Sequence, residues 1–181
     1  EFRSTIGSRV PPVQFNDFVF GFLDAGEVLL DDIHVIEDPD GAALELIQNS
    51  TFEDGSTWWR VGGNHEGEVV ADPDNPDNNV LRLRAYGSGG YVSNSAETTF
   101  VDNRRIAINQ EYEVSFRAKW IGGSRQLNNR AWFTMIPETT LLQSSELYGT
   151  PGAQNSHYES NIGPTFHGLN HSPVIPDQNE P

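Results

Sequence analysis

The side chains in this sequence that suit ligand chemistry are aromatic and acidic. Trp58, Trp59, Tyr86, Tyr91 and Trp132 offer flat faces on which a sugar ring can lie. Arg60, Asn64, Gln126 and Asn128 stand near them in sequence and carry groups that hydrogen-bond hydroxyls. Stacking combined with such hydrogen bonds is what carbohydrate recognition requires. Large aromatics in a small β-protein more often fill the core, and Trp120, on the apolar face of its strand, is assigned there. Trp58-Trp59 is the most informative pair, because neighbours along a strand point to opposite faces. One of the two is expected in the core and the other at the surface. The candidate ligand-binding set is Trp58, Trp59, Tyr91, Trp132, Asn64 and Arg60.

The acidic side chains raise metal binding and acid–base catalysis. Asp72-Pro73-Asp74-Asn75-Pro76-Asp77-Asn78-Asn79 is dense in oxygen ligands, yet it has no mid-loop glycine, and Leu83 stands where an EF-hand needs its terminal Glu. An Asx-rich, proline-stiffened turn between strands is the better expectation. No Gly-x-Ser-x-Gly elbow is present, and His65 beside Glu66 and Glu68 has no marked nucleophile. His157, His167 and His171 lack ligand spacing. The chain has no cysteine, which excludes disulfides, thiolate metal sites and cysteine nucleophiles. Glycoside hydrolysis needs two carboxylates at a set separation, and no spacing singles out a pair among 26 Asp and Glu. The chain is read as non-enzymatic.

Charge narrows the partners. Eleven Lys and Arg against 26 Asp and Glu leave a net charge of −15, which repels phosphate backbones and anionic lipid. Nucleic-acid binding is therefore set aside. Membrane insertion is set aside as well, since no apolar run approaches the roughly 18 residues of a spanning helix.

The elements that must position these groups are strands. A length of 181 residues suits one domain with flanking pieces, and ten Phe and four Trp supply one core. No long window holds a helical period. Alternating or apolar runs occur instead at 18–23, 27–36, 44–47, 67–71, 80–85, 91–93, 96–100, 111–120 and 130–136. Asp24-Ala25-Gly26 reads as a hairpin turn joining the first two. In the second run both faces are partly apolar, as in a strand buried on both sides. In 111–120, Tyr112, Val114, Phe116, Ala118 and Trp120 share one face opposite Glu113, Ser115, Arg117 and Lys119, the pattern of a half-buried antiparallel strand. The stretch after Gln143 is rich in Ser, Asn, Gly and Pro without periodicity and reads as an extended linker. The expectation is an all-β fold: an antiparallel β-sandwich of jelly-roll type over 42–142, with an N-terminal strand pair in 1–41 and an extended C-terminal coil in 143–181.

Three short motifs carry a family resemblance. Leu46-Ile47-Gln48-Asn49-Ser50-Thr51-Phe52-Glu53-Asp54-Gly55 followed by Trp58-Trp59 resembles the opening of a carbohydrate-binding jelly-roll module of the family 4, 9, 16 and 22 type, with a galactose-binding-domain-like fold. Glu27-Val28-Leu29-Leu30-Asp31-Asp32-Ile33-His34-Val35 resembles the closing strand of such a module, and Tyr112-Glu113-Val114-Ser115-Phe116-Arg117-Ala118-Lys119 its central strand. The tail is similar to linkers of large secreted bacterial proteins, and the lack of an initiator Met suits a piece of a longer chain.

The resemblance implies a structural Ca²⁺ held by Glu53 and by Asp31 or Asp32 together with backbone carbonyls, since a hard cation takes several oxygens. It also implies a non-catalytic extracellular or cell-surface bacterial module that binds a polysaccharide or spaces domains. The alternative is a structural subunit that assembles with copies of itself into a filament or surface layer. One departure from the family bears on that choice, because the Asp-Asp strand stands first here rather than last. The segment 28–36 is too apolar to stand in water and must enter a sheet, either of its own chain or of a neighbouring copy.

Overall fold

The computed structural model describes residues 2–5, 15–22, 24–87, 95–107, 109–132 and 170–171. Tyr91, residues 133–136 of the last expected strand, and the tail apart from 170–171 lie outside the described residues.

Among the described residues eleven strands form two antiparallel sheets: β1 Phe2–Thr5, β2 Asp17–Phe22, β3 Gly26–Glu37, β4 Leu44–Glu45, β5 Trp59–Gly62, β6 His65–Asp72, β7 Asn75–Ala85, β8 Ser95–Thr99, β9 Glu111–Gly123, β10 Leu127–Trp132 and β11 Asn170–His171. The first sheet runs β1-β9-β3-β7-β6, with β4 added to β3, and the second runs β11-β10-β2-β8-β5. This is the expected all-β antiparallel sandwich. Among the described residues the only helical piece is a 3₁₀ turn at Val101–Asn103.

The strand pair read at the N-terminus does not form a hairpin. β2 lies between β10 and β8 in one sheet, whereas β3 lies between β9 and β7 in the other. Asp24 and Ala25 thus carry the chain from one layer to the next. Burial explains the crossing, because every residue of β2 is buried, and a hairpin would leave one of its faces in water. The segment 28–36 lies in a sheet of its own chain, between β9 and β7. The sandwich therefore takes in β1, β2 and β3 and is not confined to 42–142.

β3 changes phase midway. Its register with β9 runs Asp31↔Arg117 and then His34↔Ser115, so one extra residue sits on β3, and Asp32 adopts φ 47° there. Such a bulge swaps the faces. Val28 and Leu30 point into the core before it, Ile33 and Val35 after it, and all four are fully buried.

The core closes between the layers. Phe18, Phe20 and Phe22 of β2 face β3 and β9, and Phe20 meets Phe116 edge-on at 5.0 Å between ring centroids. Tyr112 and Val114 are fully buried, while Phe116, Ala118 and Trp120 pack partly buried against the core. That is the face read for 111–120. Trimming an aromatic such as Phe20 would cost about 3–5 kcal/mol.

Candidate functional site

The local architecture around Trp58 starts from Asn49. Its side-chain amide donates to the carbonyls of Gly55 at 2.9 Å and Thr57 at 3.0 Å, and its Oδ1 accepts the Asp54 N–H at 3.2 Å. The loop 49–58 is thereby wound around one side chain. Trp59 anchors its far end, fully buried, with its indole N–H on the Asn49 carbonyl at 3.2 Å and its ring 5.2 Å from Phe52. Trp58 then takes φ 73° and is 51% exposed. A bulky residue in the left-handed region is a genuine backbone outlier, and such strain gathers at functional positions.

Trp58 borders a concavity of about 470 Å³ whose other walls include Gln48, Arg60, Thr99, Asp102 and Asn103. The 3₁₀ turn supplies Asp102 and Asn103, both also in the left-handed region, at φ 53° and 54°. Long-range bonds fix that turn. Phe100 N–H donates to Asn16 O at 2.8 Å, Val101 N–H to Leu46 O at 2.9 Å, and the Asn16 side chain to Asn103 Oδ1 at 2.7 Å. Arg104 clamps Glu37 through both carboxylate oxygens, and the buried Tyr112 hydroxyl donates to the same group at 3.2 Å. The Arg104 guanidinium holds the Glu37 carboxyl below its ordinary range, and burial pushes the Tyr112 phenol well up. Gln48 and Asp102 make no side-chain hydrogen bond or ion pair among the described residues, which leaves an amide and a carboxylate open to a ligand.

The floor is a buried charge network. Arg60 is 3% exposed, and its Nη2 donates to Asp17 at 2.6 Å, Thr99 at 3.0 Å and Glu97 at 3.3 Å. The register places Asp17 opposite Thr99 and Arg60 opposite Glu97, so all four side chains stand on the face of β2, β8 and β5 away from the phenylalanines. Arg60 Nε is buried with no hydrogen-bond partner. Asp17 and Glu97 are fully buried and do not line the concavity. Asp102 is the single carboxylate among the described lining residues.

The remaining expected residues divide. Trp59 is core rather than platform. Asn64 donates its amide N–H to Gly87 O at 2.5 Å and accepts the His65 Nδ1–H at Oδ1, which makes it a turn-fixing residue. Trp132 stands opposite Asp17 in the β10–β2 register, and its side chain lies outside the described residues, as does Tyr91. Tyr86 is exposed, but its hydroxyl goes to Glu66 and Arg84 lies over its ring at 5.7 Å. Gln48, Thr99, Asp102 and Asn103 were missed, because they carry no motif and reach the pocket from separate segments.

Glu53 and Asp31, the carboxylates expected at the metal, bond to two adjacent residues of β7, Asn79 and Asn78. Glu53 accepts the backbone and side-chain N–H groups of Asn79, both at 3.0 Å, and Asp31 accepts Asn78 Nδ2 at 3.0 Å. Arg117 occupies the position a cation would take, 3.0 Å from Asp31, 3.3 Å from Asp32 and 3.7 Å from Asp72. Among the described residues no three His, Cys, Asp or Glu side chains gather as a metal site. Of the 72–79 cluster only Pro73-Asp74 forms a turn, with Asp72 Oδ1 accepting the Asp74 N–H at 2.9 Å, while 75–79 belong to β7.

Comparison with protein-family models, with curated proteins and with solved structures finds no match to the chain.

Proposed function

We propose that this protein is a non-catalytic carbohydrate-binding module whose ligand seat is the Trp58 concavity. One observation carries the reading: an indole half in solvent, held in a strained backbone conformation, borders a concave surface where an amide and a carboxylate await partners. A sugar needs the same combination, an apolar face for its C–H groups and polar groups for its hydroxyls. Exposure of this kind has no structural benefit to offset its cost, whereas Trp59 next to it already anchors the loop. A polysaccharide ligand places the module outside the cell or at its surface. Assembly by strand exchange draws no support from β2 and β3, which complete their own chain's sheets.

The test is affinity electrophoresis through native gels containing soluble β-glucan, xylan or galactomannan. The protein should be retarded by at least one, and Trp58→Ala should weaken that retention at least about tenfold, as removal of an aromatic anchor does. The melting temperature should hold, because the side chain contributes little to the core. Unretarded wild type in every gel, or full retention by Trp58→Ala, would overturn the assignment.

A further inference from the structure

We infer that Asp102 sets the ligand class of this pocket, so that it admits neutral and amino-bearing glycans and turns away acidic ones. The inference rests on the glycan-binding reading of the Trp58 concavity. An acidic sugar would need a cation to meet its carboxylate, and Arg60 is the only cation among the described lining residues. That guanidinium already faces two buried carboxylates, Asp17 and Glu97, so it has little net charge to offer.

The neighbouring cations do not make up the deficit. Arg104 is committed to Glu37, and Arg105 does not line the concavity. Asp102, by contrast, is an exposed carboxylate on the rim with no cation against it among the described residues. A carboxylate accepts hydrogen bonds from neutral hydroxyls strongly, attracts an ammonium, and repels a uronate or sulfate across the same few ångströms. The net charge of −15 adds a weaker, long-range repulsion of polyanions.

The experiment uses the same soluble β-glucan and galactomannan in three forms: native, carboxylated at C6, and aminated at C6. Wild type, Asp102→Asn and the distant control Glu68→Gln, which removes an exposed charge from β6, are compared by affinity electrophoresis at low and high salt. Wild type should bind the aminated form at least as well as the native one. It should bind the carboxylated form about threefold to tenfold more weakly at low salt, with the gap narrowing at high salt. Asp102→Asn should close most of the gap and Glu68→Gln should leave it, which separates a local effect from net charge. Equal or tighter binding of the carboxylated form by wild type, or an unchanged gap in Asp102→Asn, overturns the role of Asp102 while leaving the glycan reading in place. Failure of wild type to bind any of the six preparations or xylan overturns both.

Discussion

His65 predicts a loss of stability on mild acidification that its own replacement should abolish. The imidazole is fully buried, is stacked against the Phe22 ring with centroids 6.3 Å apart, and accepts the Phe22 N–H through Nε2 at 2.9 Å. The β2–β8 ladder stops at Phe20, so His65 satisfies a backbone donor that the sheet leaves over. With Nε2 accepting, the proton resides on Nδ1 and is donated to Asn64 Oδ1 at 2.9 Å. Protonating Nε2 would break the bond to Phe22 and bury a charge. Burial pushes the pKa down from the ordinary 6.5 to about 3.

The folded pKa is depressed, so the unfolded chain binds a proton that the folded chain refuses. The stabilisation is complete above about pH 6.5, declines as the pH falls and levels off near pH 3. The slope approaches about 1.4 kcal/mol per pH unit, which gives a loss of roughly 2 kcal/mol by pH 5. Two carboxylates act in the same direction but lower down. Burial raises Glu27, yet hydrogen bonds from Arg82 and Arg84 outweigh it, and Arg104 lowers Glu37, so both lose their contribution only as the pH falls below the ordinary 4.5. The range from about pH 7.5 to pH 5 therefore lies above the contribution of both carboxylates. Urea unfolding followed by tryptophan fluorescence measures the slope. In His65→Gln an amide oxygen can stand where Nε2 accepts, without titrating, and the decline should vanish. A wild type whose stability is flat across this range, or a Gln variant that keeps the decline, would refute the account of His65 as a buried neutral acceptor.

Arg60→Met should cost about 3–5 kcal/mol in chemical denaturation, because it removes the guanidinium that two buried carboxylates share. Adding Asp17→Asn and Glu97→Gln should recover most of that, and a loss under about 1 kcal/mol for Arg60→Met alone would count against the network. Chelation should leave the melting temperature unchanged, since the Arg117 guanidinium already stands against Asp31, Asp32 and Asp72. A rise of several degrees on adding Ca²⁺ would show that an ion displaces that guanidinium.

The strands were legible where one face differs from the other. Tyr112, Val114, Phe116, Ala118 and Trp120 declare their face because Glu113, Ser115, Arg117 and Lys119 alternate with them along nearly all of β9. β3 was legible as a strand but not in its facing, because a single extra residue at Asp31–His34 reverses the alternation that a pattern must assume constant. The turn after β2 was legible as a turn, yet the same residues serve a hairpin or a crossing between layers. Burial on both faces decides between the two, and local sequence does not encode it. β5 was missed altogether. Its four residues are too few to show a period, and Arg60 interrupts the apolar run with a charge that only the partners Asp17 and Glu97 make tolerable in the interior.

The site was legible to the extent that it is local. Adjacency predicted that Trp58 and Trp59 would part company, and they do, but by a different mechanism. Trp58 precedes the strand, and its left-handed backbone turns it outward rather than the pleat. The wall facing Trp58 comes from a turn fixed by Asn16, Leu46 and the Arg104–Glu37 clamp, which are contacts between segments far apart in the chain. These bonds are made largely by backbone groups and by residues outside the pocket. Gln48 and Asp102 hold nothing else in place among the described residues. Scaffold and recognition are thus carried by different side chains, the arrangement in which loop residues can change specificity while the sheets beneath stay as they are.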